Sequence, residues 1–278
     1  MNIDELQAAI IDACEKVRKV TPLTPSITNT VTINFVANAQ LAVGGSAAMV
    51  YLPDEGEGMA EVGNSMYINM GTLLPVYAET LPRTARALKR FNKPWVLDPV
   101  GIGIGSLRSS LLTTMRECPP SVVRGNASEI IALANLWELD SGVEKDGVRG
   151  VDSTDSVEKA RKAAVALARF IKGAVAVSGE EDLITDGKLS VFSKGGTSLF
   201  TRITGAGCSL GGVTAVYAAV TSPLIAAVTA HAIYNAAGAK AVSVCRGPAS
   251  FQTAFLDELY NISAKEVASN PVRIEVEE

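Results

Sequence analysis

The fold of this chain is decided by residues 95–129, which read WVLDPVGIGIGSLRSSLLTTMRECPPSVVRGNASE. Two short apolar runs, Trp95–Leu97 and Ser121–Val123, lie on either side of a helical pattern at Ser106–Arg116. Short, continuously apolar runs are typical of strands that are buried on both faces of a sheet. Two parallel strands joined by a helix form a right-handed crossover. The stretch therefore predicts one βαβ unit of a largely parallel sheet.

The same alternation continues on both sides of this unit. Further buried strands are predicted at Ala47–Tyr51, Met66–Met70 and Ala174–Val177. Helical patterns lie between and after the strands, at Leu73–Phe91, Ala127–Leu133, Ser156–Phe170, Ser209–Val220, Pro223–Val244 and Ser250–Ala264. Strands that alternate with helices are typical of a parallel sheet with helices on both faces.

The two ends of this pattern complete the predicted fold. An amphipathic helix at Asp4–Val20 and a second helix that ends at Val43 come first, with a loop at Ser26–Thr30 between them. Leu183–Thr185 and Leu189–Phe192 surround the turn Asp186-Gly187 and indicate a hairpin. We therefore predict an α/β fold in one domain, residues 1–278, with a central, mostly parallel sheet.

Composition excludes several classes of protein and partner. The net charge is −4, so no basic surface is available for nucleic acid. The four cysteines are scattered and the chain has a single histidine, which argues against a zinc site or a disulfide framework. Because the N-terminus lacks a signal peptide, we expect a cytoplasmic protein. Residues 203–239 carry no charge, but Pro223 divides them, which favours two buried helices over a membrane span. His231, in the second of these, is expected to be a core or interface histidine.

Charged and polar residues follow several of the predicted strands. Asp98, Arg124 and Ser178 each come directly after an apolar run, and Glu129 follows in the next helix. Ligands of parallel sheets bind beyond the carboxyl ends of the strands. A phosphoryl group in transfer needs cations to neutralise it and acidic groups to hold Mg²⁺. These residues together therefore favour a phosphate site, although each alone is explained by an ordinary cap or surface charge.

The segment Thr204-Gly205-Ala206-Gly207-Cys208 lies at the start of the first uncharged helix. Its two glycines leave successive backbone N–H groups unobstructed, and helix N-termini offer unpaired donors to anions. A plain tight turn before a helix explains the pentapeptide equally well. Together with the charged residues at the strand ends, the pentapeptide favours an anion site.

A competing motif is Gly101-Ile102-Gly103-Ile104-Gly105, which resembles the start of a dinucleotide fingerprint. The full pattern requires glycine where the chain has Ser106 or Arg108, and no strand-end acid follows about 20 residues later. An NAD-dependent oxidoreductase is therefore the weaker hypothesis. The chain also lacks a Walker A sequence, so an ATP site must be of another kind.

Five motifs occur in order along the chain: Asp98-Pro99-Val100-Gly101, Arg124-Gly125-Asn126-Ala127-Ser128-Glu129-Ile130, Gly150-Val151-Asp152-Ser153, Thr204–Cys208 and Gly247-Pro248-Ala249-Ser250-Phe251. In this order they resemble the hydroxyethylthiazole kinase family of the ribokinase-like superfamily. The likeness covers nearly the whole chain. Its most specific mark is Cys208, since ribokinase-like relatives usually have aspartate at that position.

The resemblance implies a ribokinase-like fold and transfer of the γ-phosphate of ATP, with Mg²⁺, to the hydroxyl of 4-methyl-5-(2-hydroxyethyl)thiazole, a step of thiamine salvage. It also implies a homotrimer with active sites between subunits. The residue roles that it implies are substrate binding by Met49, Gly205 and Asn29, ATP binding by Arg124, Ser178, Gly207 and Asn126, Mg²⁺ binding by Asp98 and Glu129, and catalysis by Cys208 and Asp98.

The chain departs from the family pattern at three places. Ser178 replaces the usual threonine but keeps a hydroxyl, and Ala206 replaces a threonine of the glycine turn. The segment Thr24–Ile27 lacks the expected His or Gln followed by Cys-Ile or Cys-Leu, which bears on substrate choice. A neutral thiol is a poor base, so Cys208 is expected to position the substrate or to accept a proton modestly, helped by a pKa that a helix N-terminus lowers.

Two alternative enzymatic functions remain open at this point, and a third possibility is a non-catalytic nucleotide-binding protein, against which the clustered charges of Asp98, Arg124 and Glu129 argue. The first is a ribokinase-like kinase of another small alcohol, such as hydroxymethylpyrimidine, and Cys208 in place of aspartate argues against it. The second is an ADP- or ATP-dependent dehydratase of hydrated NAD(P)H, which shares the architecture. That enzyme needs a strong acid or base in the glycine turn, and the sequence has none there.

Overall fold

The computed structural model describes residues 1–142 and 157–277. The strands are β1 (Leu23–Ile27), β2 (Ser46–Met49), β3 (Met66–Asn69), β4 (Trp95–Asp98), β5 (Val122–Asn126), β6 (Ala174–Ser178), β7 (Glu181–Thr185), β8 (Leu189–Lys194) and β9 (Val272–Val276). The helices are α1 (Ile3–Val20), α2 (Ile33–Ala42), α3 (Pro53–Val62), α4 (Tyr77–Arg90), α5 (Ser106–Met115), α6 (Ala127–Leu136), α7 (Val157–Ile171), α8 (Ala206–Ala218), α9 (Pro223–Val242), α10 (Pro248–Asn261) and α11 (Ala264–Ala268), with a short 3-10 helix at Ser198–Arg202. The predicted alternation of strands and helices is confirmed.

The strands of the described residues form one sheet in the order β2-β1-β3-β4-β5-β6-β7-β8-β9. From β2 to β6 the strands are parallel, and from β6 to β9 they are antiparallel. In the parallel part the register places Asn69 beside Asp98 and Asn126 beside Ser178. The polar residues that end these strands therefore lie along one edge of the sheet.

Helices cover both faces of the sheet, as predicted. On one face α1, α2 and α8–α11 pack into a single apolar cluster, and on the other face α3–α7 form a second cluster. Side chains of a strand alternate between these faces. In β4, Val96 belongs to the first cluster, whereas Trp95 and Leu97 belong to the second. Because both faces of β4 are buried, the position of Asp98 at its carboxyl end is fixed.

One prediction at the start of the sheet is wrong. A loop was expected from Ser26, but β1 extends through Ile27 and lies inside the sheet. β1 contains Pro25, and proline is rare in inner strands because it has no N–H to donate. The pairing of β1 with β3 begins only at Ser26, so Pro25 lies beside a stretch without ladder partners on that side. Helices α3 and α11 and strand β9 also lie outside the predicted elements.

The uncharged stretch forms α8 and most of α9, and Pro223 starts α9 as expected. Both helices are almost completely buried against the sheet and their neighbours. Among the helices that the structure describes, none is long and apolar enough to cross a membrane. The motif Gly150-Val151-Asp152-Ser153 and the start of the helix predicted from Ser156 lie outside the described residues.

Candidate active site

Five side chains at the carboxyl edge of the sheet are joined by a continuous chain of hydrogen bonds. Asn29, which follows β1, donates from Nδ2 to Asn69 Oδ1 of β3 at 3.0 Å. Asn69 Nδ2 donates to Asp98 Oδ2 of β4 at 3.2 Å. Arg124 of β5 donates to Asp98 Oδ2 at 3.3 Å and to Ser178 Oγ of β6 at 2.9 Å. The structure thus brings together Asn29, Asp98, Arg124 and Ser178, which come from distant parts of the sequence.

Asp98 is completely buried at the centre of this chain. Its Oδ2 atom also accepts a hydrogen bond from the Tyr67 hydroxyl at 2.9 Å. Its Oδ1 atom is buried and has no hydrogen-bond partner among the described residues. Burial raises the pKa of Asp98 to about 6, although Arg124 acts in the opposite direction. A buried carboxylate oxygen without a donor is suited to hold a cation or a proton.

Arg124 is 8% exposed and packs against the first turn of α8. A Cβ atom at Gly207 would lie 2.7 Å from its Nη1 atom, so the guanidinium occupies space that only glycine leaves open. Burial acts to lower the pKa of Arg124, but the charges of Asp98 and Glu129 outweigh it and raise the pKa above its ordinary value. The side chain is therefore a permanent cation beside a helix N-terminus.

Helix α8 begins at the glycine turn, three residues earlier than predicted. Its N-cap, Gly205, has φ +89°, in the left-handed region that favours glycine. The backbone N–H of Ser209 donates to Gly205 O at 2.8 Å. The N–H groups before Ser209 have no acceptor within the helix, and the helix dipole gives this end a positive partial charge. The turn is thus suited to bind an anion.

Cys208 lies in the first turn of α8 and is half-buried. Its Sγ atom accepts a hydrogen bond from Asn29 Nδ2 at 3.4 Å. The expected lowering of its pKa is wrong, because burial raises the pKa of Cys208 and the nearby Asp98 carboxylate raises it further. The thiol is therefore protonated at neutral pH and is unsuited to act as a base.

Glu129 and Asn126 form a capping box at the start of α6. The Glu129 carboxylate accepts from Asn126 N at 2.9 Å, and Asn126 Oδ1 accepts from Glu129 N at 2.9 Å. Glu129 also accepts from Gly101 N at 3.4 Å, which ties the turn after β4 to α6. Across residues 1–142 and 157–277, no group of three or more His, Cys, Asp or Glu side chains is arranged to hold a metal ion. Glu129 and Asn126 therefore act first as helix caps.

A cavity of about 650 Å³ opens beside Arg124. Of the predicted site residues, Arg124, Ser178 and Gly207 line it, together with the loop 195–198 and part of α9. Its volume is within the range of small-molecule sites. A larger cavity, about 880 Å³, lies around Gly173 and Pro223 and contains none of the predicted residues. The charged groups therefore identify the smaller cavity as the candidate site.

The remaining predicted residues lie on the Asn29 side of this site. Met49 ends the edge strand β2, is half-buried and pairs with Ser26 of β1. Gly205 packs against α2, where a Cβ atom would lie 2.8 Å from Thr32. Met49 takes no part in the chain of hydrogen bonds, so its predicted role depends on apolar contact alone.

Two residues of the Asp98 environment were missed by the sequence prediction. Asn69 ends the apolar run of β3, so the rule that identified Asp98 could also have found it. Tyr67 donates to Asp98 and accepts from Asn69 Nδ2 at 2.9 Å. Its role depends on the packing of α8, since a Cβ atom at Gly211 would lie 2.5 Å from its ring. No local sequence pattern indicates that contact.

Comparison with known proteins finds relatives that share one description. Residues 14–265 match the hydroxyethylthiazole kinase family. The hydroxyethylthiazole kinase of Bifidobacterium adolescentis is 51% identical, with 96% of this chain and 94% of that protein covered. The hydroxyethylthiazole kinase of Brachyspira hyodysenteriae is 39% identical, with 95% and 97% covered.

Solved structures agree with these relatives. The hydroxyethylthiazole kinase protein from Pyrococcus horikoshii superposes with a TM-score of 0.85 at 32% identity, covering 96% of this chain and 98% of that one. A ribokinase-like superfamily protein from Enterococcus faecalis is 11% identical, with a TM-score of 0.57 and coverage of 85% and 86%, and shows the fold alone. The predicted ribokinase-like fold is thus confirmed. By sequence and by structure, the chain belongs to the hydroxyethylthiazole kinase family.

Proposed function

We propose that this chain transfers the γ-phosphate of ATP to the hydroxyl of 4-methyl-5-(2-hydroxyethyl)thiazole and so supplies the thiazole phosphate for thiamine diphosphate. The observation that carries the proposal is the chain of hydrogen bonds from Asn29 through Asp98 to Arg124 and Ser178. It joins the start of α8, where an alcohol would lie, to the cavity of about 650 Å³. Family membership supports the choice of alcohol.

ATP would occupy the cavity with its phosphates toward the start of α8. Arg124 supplies a permanent positive charge there, and the Ser178 hydroxyl, held by Arg124 at 2.9 Å, supplies a polar contact. The free N–H groups around Gly207 add backbone donors and the positive end of the helix dipole. Asn126 would contact the nucleotide from the start of α6. Together these groups balance the charge of the phosphates.

The thiazole alcohol would lie between β1, β2 and the start of α8. Met49 and Gly205 would contact the ring, and Asn29 would orient the hydroxyl. Cys208 is held by Asn29 and keeps its proton, so it would position the hydroxyl without removing its proton. The hydroxyl proton would pass to an oxygen of the transferred phosphoryl group, because Asp98 Oδ2 already accepts three hydrogen bonds and Oδ1 is left for the proposed ion.

The buried Asp98 Oδ1 atom, which has no hydrogen-bond partner among the described residues, supports a Mg²⁺ ion at this site. Asp98 and Glu129 would hold the ion, which when bound neutralises charge on the phosphates. Glu129 would do so from a position that the α6 capping box fixes. Asn69 and Tyr67 engage the other Asp98 oxygen and so keep Oδ1 available.

Alignment and charge neutralisation matter more in this reaction than a strong base, because the transition state of phosphoryl transfer is loose. The donors at the start of α8 and the Arg124 guanidinium are fixed before substrate arrives. Such preorganised groups stabilise developing charge without reorganisation at the moment of reaction. The chain of hydrogen bonds across the sheet edge provides this rigidity.

We also propose a homotrimer with active sites between subunits, located in the cytoplasm. Met49 lies on β2, an edge strand of the described sheet, and exposed aliphatic side chains occur nearby at Val31 and Leu52. An open edge beside apolar surface is suited to a subunit contact. The four cysteines are unpaired, which agrees with a reducing compartment. Sedimentation analysis of the purified protein tests the trimer.

The function is tested by ATP consumption with Mg²⁺ and three acceptor conditions: hydroxyethylthiazole, hydroxymethylpyrimidine and none. Phosphorylated thiazole, identified by mass, is the expected main product. Phosphorylation of the pyrimidine alcohol alone would keep the kinase and overturn the substrate. A parallel assay supplies hydrated NAD(P)H in place of the alcohol, and its conversion, with neither alcohol phosphorylated, would favour the dehydratase.

A further inference from the structure

A second buried carboxylate, outside the chain of hydrogen bonds described above, lies on the wall of the same cavity. Asp182, on β7, is 8% exposed. Its Oδ1 atom accepts from Gly179 N at 3.0 Å, and its Oδ2 atom accepts from Asn235 Nδ2 at 3.1 Å. His231 Nδ1 lies 3.0 Å from the same Oδ2 atom. Since both oxygens are occupied, Asp182 acts on a ligand through its neighbours.

His231 is the single histidine of the chain and is completely buried in α9. We assign a proton to its Nδ1 atom, because that atom faces the Asp182 carboxylate at 3.0 Å, although the geometry is not that of a well-aligned hydrogen bond. Burial acts to raise the pKa of Asp182, but His231 and the hydrogen bonds outweigh it and hold the pKa below its ordinary value. Asp182 is therefore ionised and paired at neutral pH.

The pair connects three separate parts of the cavity wall. Gly179 directly follows Ser178, at the turn between β6 and β7. Asn235 on α9 accepts, through its carbonyl, a hydrogen bond from Gly196 N at 3.2 Å. Gly195 and Gly196 have positive φ, and a Cβ atom at either would lie within 3.0 Å of Asn235. Asp182 thus fixes the turn and α9 directly, and the glycine loop through Asn235.

We propose that Asp182 and His231 are positioning residues for the nucleotide. They set the distance between the Ser178–Gly179 turn and the Gly195–Gly196 loop, and so the shape of the cavity that receives ATP. This inference rests on the proposed function, because it takes ATP as the occupant of the cavity. A shift of about 1 Å in a positioning group is enough to cost up to about a hundredfold in enzyme performance.

Asp182→Asn tests the proposal. In either orientation the amide nitrogen of the new side chain would face a donor, Gly179 N on one side or Asn235 Nδ2 on the other, so the wall must rearrange. We expect the KM for ATP and the Kd for ATP, measured by calorimetry, to rise about tenfold or more. The KM for the alcohol is expected to change by less than about twofold, because Asn29 and Cys208 lie at the far end of the chain of hydrogen bonds and make no direct bond to Asp182.

Two controls separate positioning from general stability. Asp186→Asn makes the same change in the same hairpin, where Asp186 Oδ1 accepts from Lys188 N and Leu189 N, both at 2.8 Å, which asparagine can still do. Val191→Ala removes buried volume from β8 and leaves every polar group that contacts Asp182 in place. Both variants are expected to keep the wild-type KM for ATP. A rise in Val191→Ala equal to that in Asp182→Asn would overturn the proposal.

Asn235→Ser provides a second test if Asp182→Asn fails to fold. It removes the side-chain bonds to Asp182 and Ser193 and leaves the backbone bond to Gly196. We expect a smaller rise in the KM for ATP, about threefold to fivefold. An unchanged Kd for ATP in the folded variants, with tight binding by the wild type, would overturn this inference alone. No ATP binding by the wild type would overturn the proposed function together with it.

Discussion

Two buried aspartates close to the same cavity are held in opposite ways. Asp98 has three donors on Oδ2 and none on Oδ1 among the described residues, and its pKa is raised to about 6. Asp182 has partners on both oxygens, and its pKa lies below its ordinary value. Burial acts on both in the same direction, so the difference comes from the partners.

This contrast separates a carboxylate that is free to bind a ligand itself from one that acts through its neighbours. A fully bonded carboxylate such as Asp182 stabilises the fold that holds it. A partly bonded one such as Asp98 is an unfavourable arrangement that persists where function requires it. The two residues should therefore respond differently when each is replaced by asparagine.

The largest effect is expected on activity. Asp98→Asn removes the carboxylate from the reacting end of the site and should lower kcat by about a thousandfold. Arg124→Gln should cause a comparable loss and should also raise the KM for ATP. Steady-state assays with hydroxyethylthiazole measure both. Retention of more than about a tenth of wild-type kcat in Asp98→Asn would contradict its role.

The second effect is on stability, where Asp182→Asn is expected to lose more than Asp98→Asn. The folded state disfavours ionised Asp98, so the stability that its raised pKa reflects is present at low pH and is lost as the pH rises through about 6. At pH 8 in EDTA, Asp98→Asn should keep or gain stability, by up to about 3 kcal/mol. Asp182→Asn should lose about 1–3 kcal/mol, because it leaves a buried donor without its acceptor.

Urea unfolding of both variants and the wild type measures this contrast. The two single variants share the same chemical change, so each serves as the control for the other. Equal losses of stability would remove the distinction between the two aspartates.

A tenfold effect is expected at the contact between Arg124 and α8. Gly207→Ala would place a Cβ atom 2.7 Å from the guanidinium, which must move, so the KM for ATP should rise about tenfold. Gly58→Ala in α3 is the matched control, since nothing lies within 4 Å of its Cβ position. The control should gain about 0.5–1 kcal/mol of stability and keep its activity. An unchanged KM in Gly207→Ala would contradict the close contact.

A smaller effect is expected at Cys208. Since its thiol is protonated and held by Asn29, Cys208→Ala should lower kcat by about tenfold or less, and Cys208→Asp should keep turnover. Turnover and ATP affinity are measured together. Loss of all turnover in Cys208→Ala with ATP binding intact would show that the thiol does more than position the substrate.

The smallest effect is the pH dependence of the Asp182 contribution. Its folded-state pKa lies below the ordinary value of 3.8, so the unfolded chain takes up the proton first as the pH falls. The stability difference between the wild type and Asp182→Asn should be full at pH 7 and shrink below about pH 4. Unfolding at several pH values measures it, with Asp186→Asn as control. A difference that stays constant down to pH 3 would contradict the lowered pKa.

The sequence by itself determined the alternation of strands and helices and the placement of Asp98, Arg124 and Ser178 at strand ends. It also identified the glycine turn and the family. These features are local, because hydrophobic period and glycine spacing are readable within about 20 residues. Strand β1 was missed because the prediction used local signals alone. Pro25 is a local signal against an inner strand, and the pairing with β3 that begins only at Ser26 is not visible in the sequence.

Only the tertiary structure decided which of these polar groups have hydrogen-bond partners. From the sequence, Asp98 is predicted as a site residue but Tyr67 is not. His231 is predicted as a core or interface residue, and its neighbour Asp182 is not identified. Asn235 and Asp182 are 53 positions apart and meet because α9 packs on the antiparallel part of the sheet. The pKa of a buried group depends on desolvation and on partners in space. The raised pKa of Cys208, opposite to its predicted direction, follows from the same physics.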